Sequence, residues 1–319
     1  MRVLVTGAGG FVGQVLCREL LAQGHEVIGA LRTAEVLDEA LRSSLAGVHW
    51  IGFELGSTVS IEAALDHGPD AVIHLAAVAS GAEARRDPLT AWSTNAMGTC
   101  ALVYEIERVR PGTRMVFAST GEVYGRGYEH PIREADPAAP CSPYAASKLA
   151  AELALQESSR RSGFNGVIAR CFQQTGPGQR DAFVVPALAR RVLAARQEGT
   201  PTIAAGNLTP VRELTDVRDV ARALALLLDR GAPGSIYNVA SGRGISLRQL
   251  LDRIARAVGW EVEPIIDPTL FRPADLEYLV GDGSRLAALG WSPQFELDQT
   301  LADLVGSLTA GARFIMEKR

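Results

Sequence analysis

The chain has 319 residues, of which 47% are hydrophobic and 21% are charged, with a net charge of -4. This composition is typical of a globular protein, and the slight negative charge argues against partners such as nucleic acid or an anionic membrane. The four cysteines are widely spaced, with neither a Cys-x-x-Cys motif nor a Cys/His cluster, so the sequence predicts no metal site and no disulfide framework. The first residues lead straight into an apolar strand pattern without a charged leader. We therefore expect a cytoplasmic protein whose partners are small molecules.

Up to about residue 172, short apolar segments rich in β-branched residues alternate with longer helical patterns. The strand candidates are RVLVTG, HEVIGALR, VHWIGFEL, DAVIHLAA, RMVFAST and NGVIARCF. Unbroken apolar strands spaced by helices are typical of parallel strands that are buried on both faces. The sequence therefore predicts an α/β fold with a doubly wound parallel sheet, a Rossmann-type domain, over residues 1–172.

After QQTGPGQRD the pattern changes to helices joined by short strands. This region is too long to be a decoration and too short for a second independent fold. We expect residues 173–209 and 243–319 to form a smaller, interleaved C-terminal domain that binds the substrate. Segments near 210–242 are expected to return to the first domain.

A glycine-rich segment, VTGAGGFVG, sets Gly7, Gly10 and Gly13 between the first strand and the first helix. In a dinucleotide site the first glycine allows the tight turn, the second lets the backbone approach a pyrophosphate, and the third permits close helix–strand packing. The N-terminus of the helix then presents free N–H groups to the phosphates. The strand–turn–helix context thus predicts dinucleotide binding.

The end of the second predicted strand, VIGALRTAE, has no acidic residue at the strand end and has Arg32 close by. An acidic residue would bind the ribose 2′-hydroxyl of NAD, whereas an arginine pairs with the 2′-phosphate of NADP. NADP(H) is therefore favoured, with NAD(H) as the alternative. Glu54, which follows the third strand in FEL, is a candidate contact for adenine.

Tyr144 and Lys148 stand in YAASK, one turn apart on one face of a predicted helix. A phenol with a pKa of about 10 is a poor acid or base at neutral pH, and we expect the neighbouring ammonium to lower that pKa. Thr120 lies at a strand end, 24 residues before Tyr144, where it is placed to hydrogen-bond the same substrate oxygen. These three residues are the predicted catalytic group.

The segments TGAGGFVG, HLAA, TN, STGEVYG, YAASK and RCFQQTGPG together resemble the extended short-chain dehydrogenase/reductase family of nucleotide-sugar enzymes. The resemblance covers essentially the whole chain and implies a Ser/Thr–Tyr–Lys triad on Thr120, Tyr144 and Lys148. It implies that His74, Leu75 and Ala76 line the cofactor cleft, and the further residues that it assigns to the cofactor are Phe11, Val12, Leu55, Leu75, Ala76, Ala77, Asn95 and Cys171. It assigns to the nucleotide-sugar substrate Ser80, Thr120, Gly121, Glu122, Gln173, Gln179, Val184, Arg212 and Arg272.

The loop after Thr120 separates the branches of this family. Dehydratases acting on dTDP-glucose carry Thr-Asp-Glu where this chain has Thr120, Gly121 and Glu122, and the aspartate protonates the leaving hydroxyl. Because that acid is absent, a dehydratase would depend on Glu122 alone. A redox-neutral epimerase, 4,6-dehydratase or decarboxylase, with bound NAD(P)+ and Glu122 as base, stays open as the alternative.

The downstream segments resemble the GDP-4-keto-6-deoxy-D-mannose reductases, which share the GPGQ signature. That branch implies reduction of a 4-ketone on a GDP-linked 6-deoxyhexose, with a proton from Tyr144. These reductases normally carry Asn where this chain has Gln173, a change consistent with a shifted or different 4-keto sugar. Arg212 and Arg272 stand at the positions where the family binds the diphosphate. Members commonly dimerise through the tyrosine-bearing helix and the helix before it, so we expect a homodimer.

Overall fold

The computed structural model describes residues 1–32, 39–271 and 276–310. Fourteen strands lie within them. They are β1 (Arg2–Thr6), β2 (Glu26–Leu31), β3 (Val48–Gly52), β4 (Ala71–His74), β5 (Arg114–Thr120), β6 (Gly166–Cys171), β7 (Gln174–Thr175), β8 (Thr202–Ala205), β9 (Val211–Glu213), β10 (Thr215–Asp216), β11 (Ile236–Val239), β12 (Gly244–Ser246), β13 (Glu263–Ile266) and β14 (Tyr278–Leu279).

The α-helices within the described residues separate most of these strands. They are α1 (Phe11–Ala22), α2 (Glu39–Ser44), α3 (Thr58–Asp66), α4 (Gly81–Arg86), α5 (Pro88–Ala91), α6 (Thr99–Val109), α7 (Pro143–Ser162), α8 (Val184–Glu198), α9 (Val217–Arg230), α10 (Leu247–Val258), α11 (Ser284–Ala287) and α12 (Leu297–Thr309). A π-helical segment, Trp92–Gly98, joins α5 to α6, and short 3-10 turns span Gly121–Tyr124 and Pro268–Leu270. None of the described helices combines the length and apolar character needed to cross a membrane.

The central sheet has seven parallel strands in the order β11-β6-β5-β4-β1-β2-β3. The chain starts in the middle, runs outward through β2 and β3, and then resumes on the other side of β1 with β4. Such a reversal creates a crevice at the carboxyl ends of the strands, which is where doubly wound sheets bind their ligands. The predicted α/β fold is confirmed.

Alternating residues of the strands supply two separate cores, one on each face of the sheet. Val3 and Val5 of β1 belong to a buried cluster shared with α1 and α9. Leu4 between them points the other way, into a cluster shared with α3, α6 and α7. The strands read as continuous apolar runs because both faces are covered.

A third core lies outside the central sheet. Helices α8, α10 and α12 bury Val192, Leu250, Ile254 and Leu301 against one another, and β8 pairs with β13 beside them. Helix α10 starts from a capping box in which Ser246 and Gln249 bond each other's backbone N–H groups. These elements fall in residues 173–209 and 243–319, whose assignment to a substrate domain stays a prediction.

Candidate active site

A cleft of about 1380 Å³ opens at the carboxyl ends of β1, β4, β5 and β6 and continues to the start of α8. Most of the residues predicted for the site line it. They are Gly7, Gly10, Phe11, Val12, Gly13, Arg32, Glu54, Leu55, Leu75, Ala76, Ala77, Ser80, Thr120, Glu122, Tyr144, Lys148, Cys171, Gln173, Gln179, Val184 and Arg212. Asn95 and Gly121 are buried residues of the adjoining segments, and Arg272 lies outside the described residues.

The glycine turn has the geometry that its sequence predicts. Gly7 has a φ of 71°, and a Cβ at Gly7 would lie 2.9 Å from the backbone nitrogen of Ala76. A Cβ at Gly13 would overlap the Gly7 carbonyl oxygen, so helix and turn touch through backbone alone. Gly10 is the N-cap of α1 and makes no side-chain cap, which leaves the first N–H groups of the helix facing the cleft. These features fit a dinucleotide pyrophosphate.

His74 does not line the cleft, so the prediction that it does is wrong. Its ring is completely buried between two hydroxyls, with Nδ1 2.6 Å from Thr6 Oγ1 and Nε2 3.0 Å from Thr99 Oγ1. Burial, and then the charge of Lys148, lower the pKa of His74 to about 3, so the ring stays neutral. Thr6 Oγ1 also accepts the N–H groups of Leu75 and Ala76 at 3.2 Å. His74 therefore braces the cleft wall from behind.

Asn95 also acts from behind the wall, as a tie between two segments. Its Oδ1 accepts the Val78 N–H at 2.8 Å, and its Nδ2 donates to the Val78 carbonyl and to Ser147 Oγ. Ser147 in turn donates to the Tyr144 carbonyl at 2.8 Å. The side chain thus couples the loop after β4 to the start of α7.

Tyr144 lies in the first turn of α7, which begins with Pro143 and is capped by Ser142. The pKa of Tyr144 is raised, first by burial and then by the charge of Glu122, and a hydrogen bond with Thr120 acts in the opposite direction. The expectation that Lys148 lowers this pKa is therefore wrong. The Lys148 ammonium instead lies 4.1 Å from the ring centroid of Phe117. In this arrangement Tyr144 is held as a neutral phenol.

Lys148 is buried, and burial lowers its pKa to about 8, while electrostatic interaction with Cys171 and then with Glu152 acts to raise it. Burial likewise raises the pKa of the Cys171 thiol to about 12, so that this thiol stays protonated. Lys148 and Lys318 are the two lysines among 32 lysine and arginine residues in the chain. A lysine in such an arginine-rich sequence is itself a signal, because a compact ammonium with an adjustable pKa is what arginine cannot supply.

Phe172 explains the glycine at position 121. A Cβ at Gly121 would lie 2.9 Å from Cδ1 of the Phe172 ring, and a Cβ at Gly281 would lie 2.5 Å from its Cε2. The ring is buried and stacks on Tyr124 with centroids 6.1 Å apart. Phe172 is therefore wedged between two glycines, and it occupies the space that a side chain at position 121 would need.

At the far end of the cleft, several predicted substrate residues are held by backbone. Arg212 is buried and donates from Nη1 to the Val211 carbonyl at 2.8 Å and from Nη2 to the Leu276 carbonyl. Gln179 accepts from Thr175 and donates to the Gln174 carbonyl at 2.9 Å, which fixes its own loop. Gln173 carries a buried Oε1 that has no hydrogen-bond partner among the described residues.

Residues 3–240 match the NAD dependent epimerase/dehydratase family. The chain belongs to this family. The family resemblance that we drew from the sequence motifs is thereby confirmed.

Relatives within the family differ in activity. A GDP-6-deoxy-D-mannose reductase of Pseudomonas aeruginosa is 33% identical over 316 residues, which cover 98% of each chain. The structure of RMD from Pseudomonas aeruginosa with NADPH has a TM-score of 0.82 at 31% identity, covering 98% of this chain and 99% of that one. A Thermus thermophilus UDP-glucose 4-epimerase in complex with NAD has a TM-score of 0.86 at 33% identity, covering 98% and 100%. The relatives of this chain within the family thus include both a reductase and an epimerase.

One group of residues escaped the sequence analysis. Ser119, Glu152 and Arg170 form a buried hydrogen-bonded group directly beneath the catalytic residues. A signal was present, because Arg170 stands inside the apolar strand GVIARC and Glu152 follows Lys148 by one helical turn. Opposite charges at positions that the pattern buries indicate a pair.

Proposed function

We propose that this chain is an NADPH-dependent reductase of the 4-keto group of a nucleotide-linked 4-keto-6-deoxyhexose, with GDP as the favoured nucleotide. The observation that carries the proposal is the pairing of Tyr144, held as a neutral phenol, with Thr120 at the cleft. A neutral phenol is the form that donates a proton, as ketone reduction requires. The full-length similarity to a GDP-6-deoxy-D-mannose reductase supports the same choice.

The cofactor is proposed to lie on the glycine turn, with its pyrophosphate at the N-terminus of α1. Arg32, an exposed residue at the rim of the cleft, is proposed to bind the 2′-phosphate, which makes NADP(H) the favoured dinucleotide. RMD binds NADPH and the Thermus epimerase binds NAD, so both dinucleotides occur among the similar structures. When bound, the dinucleotide supplies the hydride that the ketone carbon C4 receives.

The chain's own residues would supply the proton and the orientation. Thr120 Oγ1 holds the substrate oxygen O4, and the Tyr144 hydroxyl donates its proton to O4 as C4 becomes a secondary alcohol. Lys148, which lies at the cleft but does not act on the pKa of Tyr144, is proposed to bind the ribose of the nicotinamide. Such general-acid help contributes about 10²–10⁴-fold to the rate. The rest depends on holding C4 in line with the hydride donor.

The nucleotide sugar is proposed to extend from this triad toward α8. Ser80, Gln173, Gln179 and Val184 line that part of the cleft, and the unpaired Oε1 of Gln173 is suited to accept a sugar hydroxyl. Arg212 is proposed to bind the diphosphate, with its fork already oriented by two backbone carbonyls. The same role for Arg272 stays a prediction.

A redox-neutral epimerase, dehydratase or decarboxylase is the second candidate, because Glu122 lies at the cleft and its charge acts on Tyr144. The similarity to UDP-glucose 4-epimerases supports it as well. A dehydration by two acids is disfavoured, because position 121 carries no acid and the Phe172 ring fills the space that a side chain there would need.

A stoichiometry assay separates the two candidates. The reductase consumes one NADPH per molecule of GDP-4-keto-6-deoxymannose, whereas the alternative converts UDP-glucose or GDP-mannose without net change in NADPH absorbance. We expect Glu122→Gln to keep ketone reduction and Tyr144→Phe to lose it while still binding NADPH. Loss of reduction in Glu122→Gln with Tyr144→Phe unaffected would refute the proposed roles.

We also propose a homodimer built on the helices around the Tyr144 helix. Leu89 of α5, Met97 of the π-helical segment and Leu153 of α7 are 81%, 67% and 55% exposed. These three residues stand on elements that contact one another, and apolar side chains exposed together, rather than singly like Val59, fit an interface. Light scattering should give a dimer for the native chain and a monomer for Leu153→Glu, whereas Val59→Glu on α3, a control at a similarly exposed site, should stay dimeric. An unchanged mass for Leu153→Glu would contradict the assignment of this face.

A further inference from the structure

The buried ion pair of Glu152 and Arg170 lies one layer beneath the catalytic residues. Arg170 donates from Nη2 to Glu152 Oε2 at 2.7 Å and from Nε to Oε1 at 3.1 Å, and Ser119 Oγ donates to the same carboxylate. Glu152 is 1% exposed and Arg170 is 4% exposed, so the pair is removed from water. A buried pair is not explained by stability alone, because apolar residues of similar volume usually stabilise as well or better.

The register of the sheet places this pair against the site. In the β5–β6 pairing, Ser119 stands opposite Arg170, and the next two residues, Thr120 and Cys171, stand opposite each other at the cleft. Glu152, from α7, is hydrogen-bonded to both Ser119 and Arg170. Its carboxylate therefore joins the helix that carries Tyr144 to both strands that carry the rest of the site.

The same carboxylate stands one helical turn from Lys148. The titratable groups that act on Lys148 are His74 of β4, Cys171 of β6 and Glu152 of its own helix. Because His74 stays neutral and Cys171 stays protonated, Glu152 is the negative charge that faces the ammonium. Arg170, on the other side, offsets part of that charge.

We propose that Glu152 is a positioning residue for the reaction. Held by Arg170 and Ser119, it fixes the position of α7 along β5 and β6 and presents a negative charge to Lys148. Tyr144 lies eight residues earlier on the same helix, about 12 Å along its axis. A shift of the helix at Glu152 is thus passed to the Tyr144 hydroxyl and to its bond with Thr120. The catalytic meaning of this inference rests on the proposed function.

A direct test uses the scarcity of lysine. Protein labelled with ¹³C and ¹⁵N at lysine gives side-chain signals for Lys148 and Lys318, and a Lys318→Arg variant assigns them. In Glu152→Gln we expect Lys148 to titrate at lower pH than in the native chain, because its ammonium loses an attractive charge. In Arg170→Gln we expect it to titrate at higher pH, because the charge of Glu152 is no longer offset. The Lys318 signal is the internal control.

These opposite directions separate positioning from a merely structural role, which would lower the melting temperature of both variants and leave the Lys148 titration alone. Unchanged titrations, or shifts in the same direction, would overturn the inference. If one variant does not fold, the sign of the other still decides. Substrate is not needed, so a native chain that reduces no 4-keto sugar would sink the proposed function without touching this test.

Kinetics supply the second arm. A misplacement of about 1 Å in a reacting group costs about 10²-fold in rate. We expect a loss of that size in kcat for Glu152→Gln, with little change in KM and with the alkaline limb of the pH profile moved to lower pH. Glu62→Gln, which removes the exposed partner of Arg108 on α3, is the matched control and should keep the native profile. A Glu152→Gln profile that overlays the native one would refute positioning.

Discussion

Replacing Gly121 by alanine should destabilise the protein through a single side chain, that of Phe172. The added methyl carbon would lie 2.9–3.0 Å from three carbons of the ring, Cδ1, Cε1 and Cγ. Carbon atoms in contact normally stand about 3.5–4.0 Å apart. The ring cannot retreat, because Gly281 stands against its other edge and Tyr124 is stacked on it. We expect the free energy of unfolding to fall by about 1–3 kcal/mol, the usual cost of overpacking.

Urea denaturation measures this effect, and a double-mutant cycle assigns it to the ring. Phe172→Leu removes the ring carbons that the new methyl would meet, so Gly121→Ala should cost on the order of 1 kcal/mol less in the Phe172→Leu background. Gly112→Ala is the control, since a Cβ there meets no atom within 4 Å. It should leave stability unchanged or raise it by up to about 1 kcal/mol.

Two results would refute the reasoning about Gly121. One is a Gly121→Ala variant as stable as the Gly112→Ala control. The other is strict additivity with Phe172→Leu, which would place the strain elsewhere. Either result would also remove the steric explanation for glycine at position 121.

Three further outcomes are expected. The rate of ketone reduction should decline as pH rises through about 8, because the Lys148 ammonium is lost there while the raised pKa of Tyr144 keeps the phenol protonated; a flat kcat profile to higher pH would contradict this. Arg32→Ala should weaken NADPH binding by about tenfold and leave NADH binding nearly unchanged, measured by fluorescence titration. Burial raises the pKa of Glu213 from 4.5 to about 7, so the folded chain binds this proton more tightly than the unfolded chain and loses stability as pH rises through that window. The loss is about 3 kcal/mol, since each tenfold change in proton affinity is worth about 1.4 kcal/mol. Urea denaturation of the native protein and of Glu213→Gln, at pH values below 4.5 and above about 7, should show this loss in the native chain alone.

The parts of the site that the sequence predicts are those that local structure defines. Gly7, Gly10 and Gly13 belong to one strand–turn–helix unit, and Tyr144 and Lys148 are neighbours on one helix, so spacing alone brings each set together. The doubly wound parallel sheet follows from the same logic, because buried apolar strands joined by helices have few arrangements.

The parts that were missed depend on neighbours distant in the chain. His74 was predicted to line the cleft, but its Nε2 is hydrogen-bonded to Thr99 and the ring is buried. The pKa of Tyr144 was expected to follow Lys148, its neighbour in sequence, but burial and Glu122 dominate it. The sequence shows only that Gly121 replaces an acid. The reason for a glycine there is the ring of Phe172, which is 51 residues away in the chain. No pattern within a single segment contains these contacts.

The register of β5 and β6 couples the buried ion pair to the cleft. Because side chains alternate along a strand, Thr120 and Ser119 serve different layers, and so do Cys171 and Arg170. A slip of one residue in β6 would turn Arg170 toward the α1 and α9 side of the sheet and separate it from Glu152, and a slip of one residue in β5 would turn Ser119 away from Glu152. The full group of Ser119, Glu152 and Arg170 can form only in the register that also places Thr120 and Cys171 opposite each other at the cleft. The buried pair therefore favours the catalytic register, because a slip of β6 would leave both charges buried without a partner, which is strongly destabilising.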